Sequence, residues 1–209
     1  MNKLINIGFF GNFDGIFKGL INKYIVQFVV FEENKSNYII EEICEERNIK
    51  VFYVKSKYDI YNSIQNFKNI DLFVVASFGL IFNETILKYP KLDTINIHPG
   101  ILPTYRGRHP LPQAILNKEK YMGITSHIME LEIDRGRILY QKQLAINYDK
   151  TYKYNEQVLL EELNIFILKT INNYLNKIYL NLKGVGKYYK PLEKKQILKI
   201  FQVKKLKDI

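Results

Sequence analysis

The sequence is poor in cysteine and in long apolar runs, and both shortages narrow the class of protein that it encodes. Its one cysteine, Cys44, cannot form an intrachain disulfide, and without a second thiol a cysteine-based metal site is not expected. Apolar runs such as residues 71–82 are too short and too interrupted to cross a bilayer, and residues 1–15 lack the apolar core and cleavage site of a signal peptide. We therefore expect a soluble, cytoplasmic protein with no metal and no membrane contact.

The usual phosphate-binding motifs are also missing. The stretch "GFFGNFDGIFKG" (residues 8–19) contains four glycines but neither G-x-G-x-x-G nor the lysine pattern of a P-loop. Nicotinamide-dependent and nucleoside triphosphate-dependent activities therefore lose their main support. The glycines are interpreted as a tight turn from a strand into a helix.

Positive charge is abundant, but it is concentrated at one end of the chain. The net charge is +10, and residues 183–209 contribute +7 of it through nine lysines, Glu193 and Asp208. Only +3 remains for the rest of the chain. Because a lysine-rich terminus is commonly a solvated end, the charge does not favour a nucleic-acid partner.

The first hundred residues alternate between strand-like and helix-like segments. With 209 residues and 47% hydrophobic residues, the chain is large enough for one domain with a substantial core. Apolar, β-branched runs predict strands at 4–10, 25–31, 49–54, 71–77 and 93–98, with helices at 13–24, 37–48 and 58–67. This order predicts an α/β fold with a doubly wound, mostly parallel sheet.

The second half predicts further elements of the same domain. We expect a helix beginning near Pro110, alternating strands in residues 123–132 and 137–146, and one long helix over residues 152–175. The role of the chain is expected to change near residue 180. The predicted organisation is a catalytic domain at 1–180 and a short basic C-terminal extension at 181–209.

The last predicted strand of the first half carries a pair of polar side chains. Asn96 and His98 are two residues apart, so on an extended strand they project to the same side. An amide that stabilises an oxyanion beside an imidazole that handles a proton suits acyl transfer to an amine. Asp134, in a loop between two predicted strands, is the candidate carboxylate that orients the imidazole.

The sequence around these residues resembles a known family. The segments "INIHPGILPTYRGRHPLPQAILN" (95–117) and "GITSHIMELEIDRGRILYQKQL" (123–144) resemble the formyltransferases that use 10-formyltetrahydrofolate. These include methionyl-tRNA formyltransferase, glycinamide ribonucleotide transformylase and the sugar N-formyltransferases. The motifs N-x-H-P, L-P-x-Y-R-G, G-x-T-x-H and D-x-G occur in order across residues 70–145. The resemblance implies a Rossmann-like formyltransferase core.

The resemblance also implies roles for particular residues. Asn96, His98 and Asp134 match the catalytic triad of the family, and 10-formyltetrahydrofolate is the implied co-substrate. His127, in G-x-T-x-H, is interpreted as structural or as a neighbour of the triad. The loop implied to grip the pterin contains Ser77, Phe78, Gly79, Leu80 and Ile81. The loop implied to face the acceptor contains Tyr105, Arg106, Arg108 and His109.

The acceptor is predicted from regions outside the triad. The purine enzyme is disfavoured because residues 8–19 do not match its phosphate-binding loop. Only about thirty residues follow the long helix, which leaves little room for the C-terminal barrel of methionyl-tRNA formyltransferase. The segment "GKYYKPLEKK" (186–195) resembles the sugar enzymes. We therefore predict a nucleotide-linked 3- or 4-amino-6-deoxysugar as acceptor, with dTDP-4-amino-4,6-dideoxyglucose as the best candidate, in O-antigen (lipopolysaccharide) biosynthesis.

Two other functions remain open at this point. A tRNA-directed enzyme predicts that the lysine-rich tail binds tRNA with strong salt dependence. A non-catalytic folate-binding protein would have no chemical need for Asn96, His98 and Asp134 together. The resemblance also leaves a homodimer open, since relatives often pair through C-terminal elements.

Overall fold

A seven-stranded sheet forms the centre of the molecule. The structure, a computed structural model, describes residues 5–182 and 186–209. The strands are β1 (Asn6–Gly11), β2 (Ile25–Glu32), β3 (Lys50–Val54), β4 (Leu72–Ala76), β5 (Thr94–His98), β6 (Tyr105–Gly107), β7 (Tyr121–Ile128), β8 (Ile138–Ala145) and β9 (Lys187–Tyr189). The sheet order is β3-β2-β1-β4-β5-β7-β8, and β6 pairs with β9 in a separate two-stranded sheet.

The first five strands are parallel to one another, and β7 and β8 complete the sheet in antiparallel fashion. The helices are α1 (Asp14–Ile21), α2 (Tyr38–Glu46), α3 (Lys57–Ile64), α4 (Glu84–Leu87), α5 (Pro110–Leu116), α6 (Tyr152–Glu161), α7 (Leu163–Leu175) and α8 (Lys194–Gln202). The predicted doubly wound, mostly parallel α/β fold is confirmed.

Helices cover both faces of this sheet, so the central strands are apolar along their whole length. Phe9 packs with α1 and α7 in one core cluster, whereas its neighbour Phe10 packs with α3 and α4 in the other. Val74 and Val75 divide in the same way because successive strand residues point to opposite faces. Burial of each of these side chains stabilises the fold by roughly 1.5–3 kcal/mol.

Two predictions of secondary structure were wrong in detail. The helix predicted over residues 152–175 is divided into α6 and α7 at Glu162. The N–H of Glu162 donates to the carbonyl oxygen of Leu159, three residues earlier, and this bond tightens the turn. The strand predicted over 123–132 is β7, which ends at Ile128. Its residues 122–128 are all buried instead of alternating, because β7 lies between β5 and β8 and is covered on both faces. Leu4, the first residue of the first predicted strand, lies outside the described residues.

The chain after α7 returns to the core. β9 pairs in parallel with β6, placing Tyr188 opposite Arg106. In α8 and the short 3₁₀ helix Leu206–Asp208, Ile200 and Leu206 are fully buried in the same core cluster as α1. Of the basic tail, Lys183 lies outside the described residues. In the part of the chain that is described, no helix is long and apolar enough to cross a membrane.

Candidate active site

Asn96 and His98 lie at the carboxyl end of β5, the strand beside β4 in the parallel part of the sheet. Ligands of open parallel sheets bind at this edge. Asp134, from the loop between β7 and β8, approaches His98 with 3.6 Å between its Oδ2 and His98 Nδ1. The structure therefore brings the three residues of the predicted triad into one place.

The imidazole of His98 is buried and held by the main chain. Its Nε2 lies 2.6 Å from the carbonyl oxygen of Tyr105. Because a carbonyl can only accept, Nε2 carries the hydrogen and the neutral ring has its lone pair on Nδ1, toward Asp134. The turn after the strand needs glycine, since a Cβ on Gly100 would lie 2.8 Å from Nε2.

Burial lowers the pKa of His98 below its ordinary value of 6.5. The negative charge of Asp134 and the Tyr105 carbonyl raise it and oppose this shift only in part. The imidazole of His98 is therefore neutral at pH 7 and able to accept a proton. A proton taken up at Nδ1 would be stabilised by the adjacent carboxylate.

Asp134 is held in an uncommon backbone conformation. Its φ is +55°, in the left-handed region that a non-glycine residue occupies only where its surroundings enforce it. The N–H of Gly107 donates to Oδ2 at 2.8 Å. Two residues on, a Cβ on Gly136 would lie 1.6 Å from Ile128 O, so the D-x-G turn admits only glycine there.

The carboxyl group of Asp134 is ionised at neutral pH. Burial raises its pKa, but the contact with His127, the positive charge that His98 can take and the Gly107 N–H together outweigh burial and bring the pKa to about 2. A buried carboxylate of this kind needs its hydrogen-bond donors, because an unpaired charge in the interior is strongly destabilising.

His127 contacts two members of the triad, which its interpretation from sequence alone did not specify. Its Nε2 lies 3.1 Å from Asn96 Nδ2 and 3.4 Å from Asp134 Oδ1, while Nδ1 lies 3.0 Å from Ile128 O. With Nδ1–H donating to that carbonyl, the neutral ring accepts from Asn96 and the protonated ring donates to Asp134. The antiparallel register that pairs Asn96 with His127 produces this contact.

Thr125, two residues before His127, fixes the turn that follows His98. Its fully buried hydroxyl donates to Gly100 O at 2.6 Å and accepts from the N–H of Leu102 at 3.1 Å. The threonine and the histidine of G-x-T-x-H therefore both hold the triad, one through the main chain and one through side chains.

A cavity of about 380 Å³ opens onto the triad, and we call it the triad cavity. One wall is the loop after β4, which includes Ser77, Phe78, Gly79, Leu80 and Ile81, all five predicted cofactor-binding residues. Ile81, Leu131 and Ile133 line this cavity, and these residues are 66%, 65% and 43% exposed. Apolar side chains left exposed around a polar centre fit a flat heteroaromatic ligand such as a pterin.

The loop after β4 is anchored from the neighbouring part of the sheet. Glu32, at the end of β2, accepts a hydrogen bond of 2.5 Å from the N–H of Gly79. Lys35 pairs with the same carboxylate at 2.8 Å, and Arg108 Nη2 lies 3.5 Å from Gly79 O. No pattern in the sequence connects Glu32 with this loop, because Glu32 and Gly79 are 47 positions apart.

The four predicted acceptor-side residues occupy different places. Arg108 lines the triad cavity, and Arg106 lines a second cavity. His109 adopts φ +59° before α5 and accepts from the N–H of Leu192. Tyr105 does not face either cavity: its ring is buried and stacks on Tyr189, and its hydroxyl donates to Glu119 at 2.7 Å. Only its carbonyl reaches the site, through His98.

Comparison with protein families identifies the class of protein that this fold and site define. Residues 23–170 match the family model described as formyl transferase, so the chain belongs to the formyltransferase family. Members of this family are enzymes that transfer formyl groups from formyltetrahydrofolate.

Similar curated proteins are named methionyl-tRNA formyltransferase. The protein from Thermotoga neapolitana is 37% identical over 134 residues, covering 62% of this chain and 42% of its own length. The protein from Ureaplasma parvum is 33% identical over 156 residues, covering 73% of this chain and 50% of its own length. The chain thus spans about half the length of the curated relatives that it matches.

Similar solved structures share the fold. Glycinamide ribonucleotide transformylase 1 from Symbiobacterium toebii superimposes with a TM-score of 0.74 at 18% identity, covering 89% of this chain and 94% of that one. WlaRD, a sugar 3N-formyl transferase crystallised in the presence of dTDP and 5-N-formyl-THF, gives a TM-score of 0.67 at 23% identity, covering 90% of this chain and 70% of that one.

Proposed function

We propose that this chain transfers a formyl group from 10-formyltetrahydrofolate to the primary amine of a nucleotide-linked amino-deoxysugar. The observation that carries the proposal is the meeting of Asn96, His98 and Asp134 in one cavity beside an apolar loop. The product is a formamide on the sugar, and tetrahydrofolate is released. Residues 77–81 form the wall for the pterin, and no metal takes part.

Asn96 stabilises the charge that develops on the formyl oxygen. One N–H of its amide is directed at His127 Nε2, which fixes the orientation of the group and leaves the second N–H for the oxyanion. A donor fixed in advance pays no reorganisation cost during the reaction, and one such donor typically contributes about 10²–10³ in rate.

His98 removes the proton that the attacking amine must lose. Nδ1 is the accepting atom, since Nε2 already carries the hydrogen bonded to Tyr105 O. Asp134 stabilises the imidazolium that forms, at an Nδ1 to Oδ2 separation of 3.6 Å. The same proton can then be delivered to the leaving nitrogen of tetrahydrofolate, which completes the transfer without a net change in the protonation of His98.

The sugar acceptor is supported by the likeness in fold to the sugar 3N-formyl transferase WlaRD and by the segment after α7. Tyr188, placed by the pairing of β9 with β6, lines the triad cavity. We accordingly propose residues 1–180 as the catalytic domain and residues 181–209 as a short basic extension that supplies part of this wall. dTDP-4-amino-4,6-dideoxyglucose, as a precursor of a surface polysaccharide such as O-antigen, remains the specific candidate, and the proposed location is cytoplasmic.

Methionyl-tRNA is the second candidate acceptor. Curated relatives of that name reach 38% identity, compared with 23% for the sugar enzyme of known structure. A homodimer also belongs to the proposal, supported by exposed apolar side chains in and after α7: Leu175, Ile178 and Leu182.

The acceptors are distinguished by assaying the purified chain with 10-formyltetrahydrofolate and a panel of dTDP-, UDP- and GDP-linked aminosugars, with methionyl-tRNA in parallel. Mass spectrometry is expected to show one formyl group added to a dTDP-aminosugar, with turnover nearly independent of salt. Formylation of tRNA alone, with steep salt dependence, would move the chain to the initiator-tRNA branch. Sedimentation of the same sample gives the oligomeric state.

A further inference from the structure

A second cavity, of about 440 Å³, is also lined by Asp134, and we call it the arginine cavity. Asp134 lines both cavities, so a ligand in the arginine cavity would lie next to the triad. Its other lining residues include Leu102, Pro103 and three arginines: Arg106, Arg135 and Arg137.

These arginines carry positive charge that the surrounding protein does not fully balance. Arg135 forms an ion pair of 3.0 Å with Glu132, and both side chains are exposed. Among the residues that the structure describes, neither Arg106 nor Arg137 has a carboxylate within ion-pair distance. The Nε of Arg106 is enclosed and also has no hydrogen-bond partner there. Because this atom is closed off from solvent, an incoming oxyanion would pair with the outer guanidinium nitrogens and balance a charge that the protein leaves uncompensated.

Single contacts keep two of the guanidinium groups at the cavity. Arg106 Nη2 donates to Gly186 O at 2.8 Å, and Arg137 stacks with its guanidinium carbon 4.6 Å from the ring centre of Tyr179. These contacts leave other N–H groups of both planar forks available. Forked donors match the geometry of phosphate oxygens.

We propose that the arginine cavity binds the diphosphate of a nucleoside diphosphate, which places a sugar amine at Asp134 and His98; this inference rests on the proposed function. Three arginines line one cavity, and a cluster of cations of this kind suits two adjacent phosphates. A nucleic acid would instead require cations spaced along its backbone. Arg137 and Arg106 are the principal donors, and Arg108 is excluded because it lines the triad cavity.

Binding of dTDP and of inorganic pyrophosphate, each measured alone by isothermal titration calorimetry, tests the site without any turnover. Arg137→Ala is expected to weaken both about tenfold, the order of one lost charge-assisted hydrogen bond. The affinity of Arg137→Lys for both ligands should lie between those of the wild type and Arg137→Ala, because lysine keeps the charge but lacks the forked donors of arginine. Arg47→Ala is the matched control, since Arg47 contacts Ile21 O at the end of α2, outside both cavities. Equal affinity of wild type, Arg137→Ala and Arg47→Ala would overturn the proposal.

Steady-state assays separate this inference from the proposed function. With a dTDP-aminosugar, Arg137→Ala should raise the KM for the sugar about tenfold and leave the KM for 10-formyltetrahydrofolate unchanged. Active enzyme with an unchanged sugar KM would overturn the site and leave the function standing. If the wild type formylates no acceptor but Arg137→Ala still loses affinity for dTDP, the diphosphate site would be upheld and the proposed function would be rejected. Retained affinity for a CCA-ended oligonucleotide with no affinity for dTDP would also reject the diphosphate site.

Discussion

The two cavities that share Asp134 are built in different ways. In the triad cavity the polar groups are buried and fixed by the main chain: Tyr105 O holds His98, Gly107 N–H holds Asp134, and His127 holds Asn96. In the arginine cavity Arg135 and Arg137 are exposed. The difference indicates that the groups proposed to perform the chemistry are preorganised, whereas those proposed to contact the acceptor can adjust to it.

Removal of the imidazole should have the largest effect. We expect His98→Ala to lower kcat about 10³-fold or more, because it removes the proton acceptor within a preorganised site. His98→Asn, a closer match in size, should show the same loss, and circular dichroism should show that both variants are folded. Turnover near that of the wild type in either variant would contradict the role of His98.

Removal of the charge that both cavities share should have the next largest effect. Asp134→Asn keeps the shape and an acceptor for Gly107 N–H but removes the negative charge beside Nδ1. We expect kcat to fall about 10²-fold, and the KM for either substrate to change little. A rise in KM with kcat unchanged would assign Asp134 to binding instead of catalysis.

Loosening of the loop after β4, proposed to bind the pterin, should have a smaller effect that is confined to the triad cavity. Glu32→Ala removes the acceptor of Gly79 N–H and is expected to raise the KM for 10-formyltetrahydrofolate about tenfold, the order of a lost hydrogen bond to a charged group. The KM for the amine should stay the same. Glu33→Ala is the matched control, because Glu33 pairs at the surface with Lys55. Equal behaviour of the two variants would remove the positioning role of Glu32.

The pH dependence should show the smallest effect and report on His98 itself. Because burial lowers the pKa of His98, its neutral form persists below pH 6.5, and the acid limb of kcat/KM should lie below that value. In Asp134→Asn the limb should move lower still, since the charge that raises this pKa is gone. A limb above 6.5 in the wild type would show that the charge of Asp134 outweighs burial.

Acid should also destabilise the fold through Asp134. Its pKa of about 2 in the folded protein lies below the ordinary 3.8, so its contribution to stability is complete above pH 3.8 and is lost as the pH falls toward 2. Asp134→Asn should therefore lose less stability than the wild type over this window in urea denaturation. If the unfolding free energies of the wild type and Asp134→Asn fell in parallel as the pH was lowered, the lowered pKa of Asp134 would be contradicted.

The strands near the triad could be predicted because short stretches of the sequence contain the patterns that are typical of them. Uniform apolar runs predict parallel strands, and an N-x-H spacing on a strand predicts a shared face. Contacts between distant segments left no such pattern. Two examples are the pairing of β6 with β9 and the hydrogen bond between Glu32 and Gly79. Both contacts depend on how the whole chain folds.

The neighbours Arg106 and Arg108 show what a resemblance in sequence does not specify. The resemblance implied that both face the acceptor, and residues two apart on a regular strand would face the same side. Gly107 between them has φ +98°, and β6 ends there, so the two side chains enter different cavities. The ring of Tyr105 is buried against Tyr189, because an aromatic side chain beside a site can also fill the core.

The central claim is tested most directly by following a ¹³C-labelled formyl group in one incubation. Wild type, His98→Ala and Asp134→Asn would each be given 10-[¹³C]formyltetrahydrofolate and a dTDP-linked aminosugar, and the label would be located by NMR. We expect a ¹³C-formamide on the sugar amine with the wild type and almost none with His98→Ala. Label that stays on the folate with the wild type, or reaches the sugar equally with all three proteins, would contradict it.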